Sequence, residues 1–169
     1  MDLQIRPISE DEFLPYMRAI DAAFSETASD EDIERERRMA EVDRCFAAFD
    51  GPEIVGTAAA FTMPMTVPGA EIEIGFVTMV AVRPTHRRRG VNTALMRRQL
   101  DEAHERGEVV EVLHASEGGI YGRYGYGLAT YGLSIEIETA RSAFVRDSEP
   151  AGELRLVPRD AAEKAILAV

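Results

Sequence analysis

The sequence is poor in the residues that usually announce a site: among 169 residues it holds a single cysteine, Cys45, a single lysine, Lys164, and three histidines. One cysteine closes no internal disulfide, and no second cysteine or histidine stands beside it at metal-ligand spacing. Cys45 therefore reads as a small buried hydrophobe, and no metal is expected. Long apolar runs are missing too; none approaches the ~20 residues that a membrane-spanning helix needs. The opening MDLQIRPISEDEF turns acidic early and lacks the apolar stretch of a secretory signal, which points to the cytoplasm and away from a membrane. Positive charge is in deficit, with 19 basic against 30 acidic residues and a net charge of -11, and a field of that sign repels nucleic acid. What the sequence does have, 46% hydrophobic and 29% charged residues, suits one ordinary globular domain with a real core.

The scarce positive charge is concentrated. Six arginines fall in VAVRPTHRRRGVNTALMRR, Val80 to Arg98, a stretch without a carboxylate, which leaves 13 basic against 30 acidic residues elsewhere. A nucleic-acid binder spreads basic residues over several elements with aromatics between them, so a confined patch points instead to a small anion. The opposite sign gathers between Ser9 and Asp43, with 12 carboxylates and 4 arginines. A solvated helix face accounts for that run, and so does a wall that attracts a cationic substrate.

Along the chain, LQIRPI alternates as a short strand, and Ser9 caps a helix in which Phe13, Met17, Ile20 and Phe24 recur at helical spacing. A second, acidic helix covers DEDIERERRMAEV. RCFAAFD, IVGTAAAFTMPMTV and EIEIGFVTMVAVRP follow as strands joined by GPE and PGA turns, an antiparallel meander that Pro84 ends. A helix is expected from Arg89 to Glu105, then VVEVLHA as a strand parallel to the one before that helix. A Gly/Tyr-rich connector leads to YGLSIEIET, a final alternating strand. This order makes an α/β fold, a mixed central β-sheet flanked by helices. The expected boundaries are a domain over 1–141, a linker over 142–153 around RDSEPAGE, and the start of a second domain over 154–169.

A strand that feeds an arginine/glycine turn opening a helix supplies what a phosphate needs: free backbone N–H groups, the positive end of a helix dipole and nearby guanidinium groups. The turn is neither a GxxxxGK[ST] loop nor a GxGxxG fingerprint. It is read instead as the R-x-x-G-x-G/A pattern of an acetyl-CoA pyrophosphate loop, met as Arg87-Arg88-Arg89-Gly90-Val91-Asn92 with Asn92 in place of the small last residue. The Tyr-rich connector adds hydroxyls that could serve as proton donors, and the sequence by itself gives Tyr121 no preference over Tyr124 or Tyr126.

Together the loop and the βααβββαβ order resemble the GCN5-related N-acetyltransferase (GNAT) superfamily. VPG, VAVRPTHRRRG and ASEGGIYGRYGYGLAT, in that order and at those separations, resemble the N-terminal acetyltransferase domain of the Eis (enhanced intracellular survival) family. Asn92 is no anomaly there, because that family's loop also ends in a residue other than Gly or Ala. The resemblance implies transfer of an acetyl group from acetyl-CoA, as co-substrate, to primary amines of cationic acceptors such as aminoglycosides. It also implies a three-domain subunit assembled into a homo-oligomer, a hexamer. By the same resemblance Val80, Ala81 and Val82 hydrogen-bond the pantetheine and thioester through their backbone. Arg88, Arg89, Gly90, Val91, Asn92 and Thr93 cradle the pyrophosphate, Ser116 and Glu117 line the cofactor cleft, and Tyr121 is the general acid. A non-catalytic module that binds acyl-CoA, or serves assembly only, is the competing reading.

The histidines are assigned little. His86 is a surface or phosphate-proximal residue, His104 lies on a polar helix face, and His114 is the one histidine placed near the cleft as a candidate base. Glu71 and Glu73, on the strand before the loop, are weaker candidates. In the Eis family the base is the C-terminal carboxylate of the third domain. LRLVPRDAAEKAILAV resembles the start of the second domain, so Val169 is not given that role, and this stretch alone is expected to bind acetyl-CoA but to transfer acetyl groups poorly.

Overall fold

Alternation along a strand sorts its side chains onto two faces, and here both faces are buried. In the computed structural model, which describes residues 3–142, 152 and 156–166, Cys45, Ala47 and Phe49 enter one core while Phe46 and Ala48 enter another. The chain divides into two units, residues 1–128 and 129–169.

The first unit carries β1 (Gln4–Pro7), α1 (Phe13–Phe24), α2 (Asp30–Met39), β2 (Cys45–Asp50), β3 (Glu53–Val67), β4 (Ala70–Val82), α3 (Val91–Arg106) and β5 (Glu111–Leu113). The five strands form one sheet in the order β1-β2-β3-β4-β5. The first three pairings are antiparallel and β4–β5 is parallel, so the sheet is mixed, as read from the sequence. Phe13, Tyr16 and Met17 of α1 and Ile33 of α2 close one core against the β2 face that holds Cys45. Val91 and Leu95 of α3 close the other against Val55 and Ala58 of β3.

Local signals account for most boundaries. The Ser29 hydroxyl accepts from the Asp32 N–H at 3.2 Å and donates to the Asp32 carboxylate at 2.6 Å, a reciprocal cap that starts α2. The helix expected from Arg89 begins two residues later, because Arg88 (φ 60°) and Gly90 (φ 84°) are both left-handed and α3 cannot include them. β3 meets α3 at Gly56, where an added Cβ would stand 2.7 Å from Val91 Cγ1 and 2.9 Å from Leu95 Cδ1. Gly56→Ala is expected to push α3 off the sheet and destabilise the unit by about 1–3 kcal/mol in urea unfolding, the usual effect of overpacking.

The first unit also buries a charged cluster that no local pattern announces. Arg44 is fully buried, and its guanidinium donates to Thr62 Oγ1 (2.9 Å), to both Glu108 oxygens (2.7 and 2.9 Å) and to Glu102 (3.0 Å). Arg106 pairs with Glu102 as well and reaches Asp43 at 2.7 Å. Burial works against the Arg44 charge, yet the bonds that Arg44 donates to Glu108 and Glu102 outweigh it and hold its pKa above the ordinary value. This cluster pins the start of β2 to α3 and to the turn that enters β5.

In the second unit the expected strand YGLSIEIET is not formed. Residues 129–138 have no ladder partner among the described residues; a 3-10 turn follows at Thr139–Arg141 and a short helix, α4, at Arg159–Ile166. Tyr131, Leu133, Ile135 and Ile137, the apolar half of the alternation, are all exposed. Alternation says which face a strand would bury, but a strand exists only when its backbone is paired, and no pairing is available here among the described residues. Most of the expected linker 142–153 lies outside the described residues.

Candidate active site

The site is built from one irregularity in β4 and one turn after it. Thr57 pairs with Ala81 and Ala59 with Thr78, so Ala58 alone faces both Met79 and Val80: a β-bulge. Met79 has φ 53°, a left-handed conformation that disfavours an L-residue by about 1–2 kcal/mol and calls for something to hold it. β5 pairs with β4 only from Gly75 to Val77. Beyond Val77, the edge of β4 that faces away from β3 has no strand partner among the described residues.

After β4, the 3-10 turn Pro84–His86 and the left-handed Arg88 and Gly90 bring the chain into α3. The first α3 hydrogen bond runs from the Ala94 N–H to the Gly90 carbonyl, 3.0 Å. The N–H groups of Val91, Asn92 and Thr93 therefore come before any intrahelical acceptor, at the positive end of the helix dipole.

Two cavities meet on this scaffold. The first, about 820 Å³, is lined by Val80, Ala81, Val82, Arg88, Gly90, Val91, Asn92, Thr93, Glu117 and Tyr121, ten of the twelve residues named from the sequence. Arg89 sits in the same turn but does not line it, and Ser116 lines the second cavity instead. Arg87, the first residue of the loop pattern, joins the lining, as do Arg123 and Tyr124, which the sequence did not single out for it. The Tyr124 hydroxyl lies 3.3 Å from Asn92 Nδ2 and 3.2 Å from Thr93 Oγ1, and so ties the Tyr-rich turn Gly118–Tyr124 to the start of α3.

The second cavity, about 840 Å³, lies against α1, α2 and β4. Four carboxylates line it, Asp21, Glu26, Asp32 and Glu36, together with Met17, Phe24, Phe76 and His114, and its lining includes no arginine or lysine among the described residues. Asp21 and Asp32 are partly neutralised by Arg18 (3.0 Å) and Arg35 (2.7 Å). Phe24, Val80 and Tyr121 line both cavities.

The three tyrosines of the turn are not equivalent. Tyr126 donates to Glu111 Oε2 at 2.7 Å and Tyr124 bonds Asn92 and Thr93, whereas no described residue hydrogen-bonds the Tyr121 hydroxyl. The Tyr121 ring meets the Tyr126 ring edge-on, centroids 6.0 Å apart. Burial, and then the nearby Glu117, push the Tyr121 pKa up, so the phenol keeps its proton at neutral pH. Burial likewise raises Glu111, against the bonds from Tyr126 and Gln99.

Glu71 and Glu73 are exposed and line neither cavity. His86 lines the first cavity, but its ring is engaged by Thr85 (2.8 Å) and Asp50 (3.2 Å). His104 is exposed on α3. Among the described residues no group of three or more His, Cys, Asp or Glu could hold a metal, and no helix is long and apolar enough to cross a membrane.

The strand bulge and the start of α3 thus lie beside two cavities, one lined by carboxylates and the other by arginines. The family model for the acetyltransferase (GNAT) domain matches residues 4–129, and the chain belongs to that family. It is 42% identical over 167 residues to an uncharacterized N-acetyltransferase of Streptomyces avermitilis, covering 95% of this chain and 40% of that protein. It is also 42% identical over 107 residues to the N-acetyltransferase Eis of Mycobacterium tuberculosis, 60% of this chain and 26% of Eis. In structure it is similar to Eis1 from Mycobacterium abscessus, with a TM-score of 0.68 and 37% identity over 76% of this chain and 32% of that one. The chain thus spans well under half the length of these relatives.

Proposed function

We propose that the protein transfers the acetyl group of acetyl-CoA to a primary amine of a polycationic acceptor, aminoglycosides being one such class. The observation that carries this reading is the sharing of Val80 and Tyr121 by the two cavities: a donor in one and an acceptor in the other would meet there.

The residues present fit acetyl-CoA. The N–H groups opening α3, with Arg88 beside them, suit a diphosphate. The edge of β4 over Val80–Val82, which has no strand partner among the described residues, suits the amides of an extended pantetheine, as any open strand edge suits an extended chain. Acetyl-CoA supplies a thioester, whose carbon accepts an amine and whose sulfur leaves as a thiolate. Backbone N–H groups at the bulge would meet the negative charge that grows on the carbonyl oxygen. Tyr121 would give its proton to the departing sulfur and be reprotonated by the proton that the amine nitrogen sheds as the amide forms. The carboxylates of the second cavity would draw a cationic acceptor and orient its amine toward Val80.

Arg88→Ala is expected to weaken acetyl-CoA binding by about 10-fold in calorimetric titration, the loss of one charge-assisted contact to phosphate. Acceptor class is tested by thiol release with polyamines, aminoglycosides and neutral primary amines. Cationic acceptors should be preferred, and the preference should shrink with rising salt. Equal rates with neutral amines would remove the case for a polycationic acceptor.

A further inference from the structure

We propose that Thr57 is a positioning residue for the acetyl group: its hydroxyl holds the Met79 carbonyl and thereby keeps the Val80 N–H turned toward the place where the thioester carbonyl would lie. The proposal rests on the acetyl-CoA reading and adds to it a residue that touches neither cavity.

Thr57 is fully buried in the middle of the sheet, and its Oγ1 donates to the Met79 carbonyl oxygen at 2.7 Å. A bulge whose first residue is left-handed ordinarily has glycine there. Met79 lacks that freedom, so its conformation has to be imposed by its neighbours. The side-chain bond from Thr57 is such a constraint, made by a group that has no ladder role of its own.

The consequence for the site follows from the planarity of the peptide unit. The Met79 carbonyl and the Val80 N–H belong to one trans peptide and point in opposite directions. A carbonyl fixed toward Thr57 on β3 therefore aims the Val80 N–H away from β3. On that side the β4–β5 ladder has already ended at Val77, and Val80 is common to both cavities. An N–H held there before the acetyl group arrives needs no reorganisation when charge develops on the carbonyl oxygen.

The test uses the 169-residue chain and acetyl-CoA labelled at its carbonyl carbon, read by isotope-edited infrared spectroscopy. In the unmodified protein the bound carbonyl stretch should lie below its solution frequency. Thr57→Ser, which keeps the hydroxyl, should retain that downshift. Thr57→Val should lose more than half of it while binding acetyl-CoA within about threefold of the original affinity, since the contacts to the rest of the ligand are untouched. Thr57→Ala carries the same expectation and decides the matter if the valine variant does not fold. In the ligand-free chain the Met79 backbone resonances should leave the left-handed range in the variants without the hydroxyl. An unchanged downshift in Thr57→Val or Thr57→Ala would overturn the proposal and leave the acetyl-CoA reading standing, whereas failure of the unmodified chain to bind acetyl-CoA would overturn both.

Discussion

Tyr121→Phe is expected to lower the rate of acetyl transfer by about 10²–10⁴-fold, the range lost with a general acid, while acetyl-CoA still binds. The change removes one oxygen and keeps the ring, so the edge-on contact with Tyr126 survives and thermal stability should not move. The neighbouring tyrosines give the contrast. Their hydroxyls serve Glu111 and the Asn92/Thr93 pair, so Tyr126→Phe and Tyr124→Phe would act through packing and loop position. The pH profile adds a second check. A general acid works only while protonated, and burial raises the Tyr121 pKa, so the alkaline loss of kcat assigned to it should lie above the ordinary tyrosine value of about 10. A Tyr121→Phe protein with undiminished kcat would remove this residue from the chemistry.

Arg44→Met is expected to destabilise the first unit by about 3–5 kcal/mol, because it strands buried carboxylates whose charge the guanidinium now balances. Glu108 has Arg44 as its one cationic partner among the described residues, and Glu102 would retain only Arg106. The melting temperature should fall by roughly 6–20 °C. Replacing Arg44, Glu102 and Glu108 together by apolar residues of similar volume should recover much of the loss, since a buried ion cluster repays its desolvation only while complete. A single-variant loss under about 1 kcal/mol, the ordinary value for a surface pair, would show that the cluster is solvated.

The sequence carried the sheet, the helices and the arginine turn because each has a local signal: alternation in β2, helical spacing in α1, Pro84 after β4, three consecutive arginines before α3. The Arg44 cluster has no such signal. Its partners lie 58 and 64 residues further along the chain, and an arginine ahead of CFAAF reads as a strand end until folding buries it. The bulge was hidden as well, since its left-handed residue is a methionine and nothing in EIEIGFVTMVAV marks it. The strand expected over YGLSIEIET shows the converse failure: the pattern is present, and among the described residues no strand pairs with it. At the site, the arginine turn was legible from physical chemistry, whereas the choice of Tyr121 among three tyrosines came from resemblance alone. In the structure the hydroxyls of Tyr124 and Tyr126 are engaged, whereas no described residue hydrogen-bonds that of Tyr121.

The central claim, that donor and acceptor cavities meet at Val80 and Tyr121, is tested most directly by titrating acetyl-CoA into the isotopically labelled chain and following its backbone amides by NMR. Shifts are predicted to concentrate at Met79–Val82, at Arg88–Thr93 and around Tyr121. Saturable binding that leaves those three segments unmoved and perturbs others would contradict it.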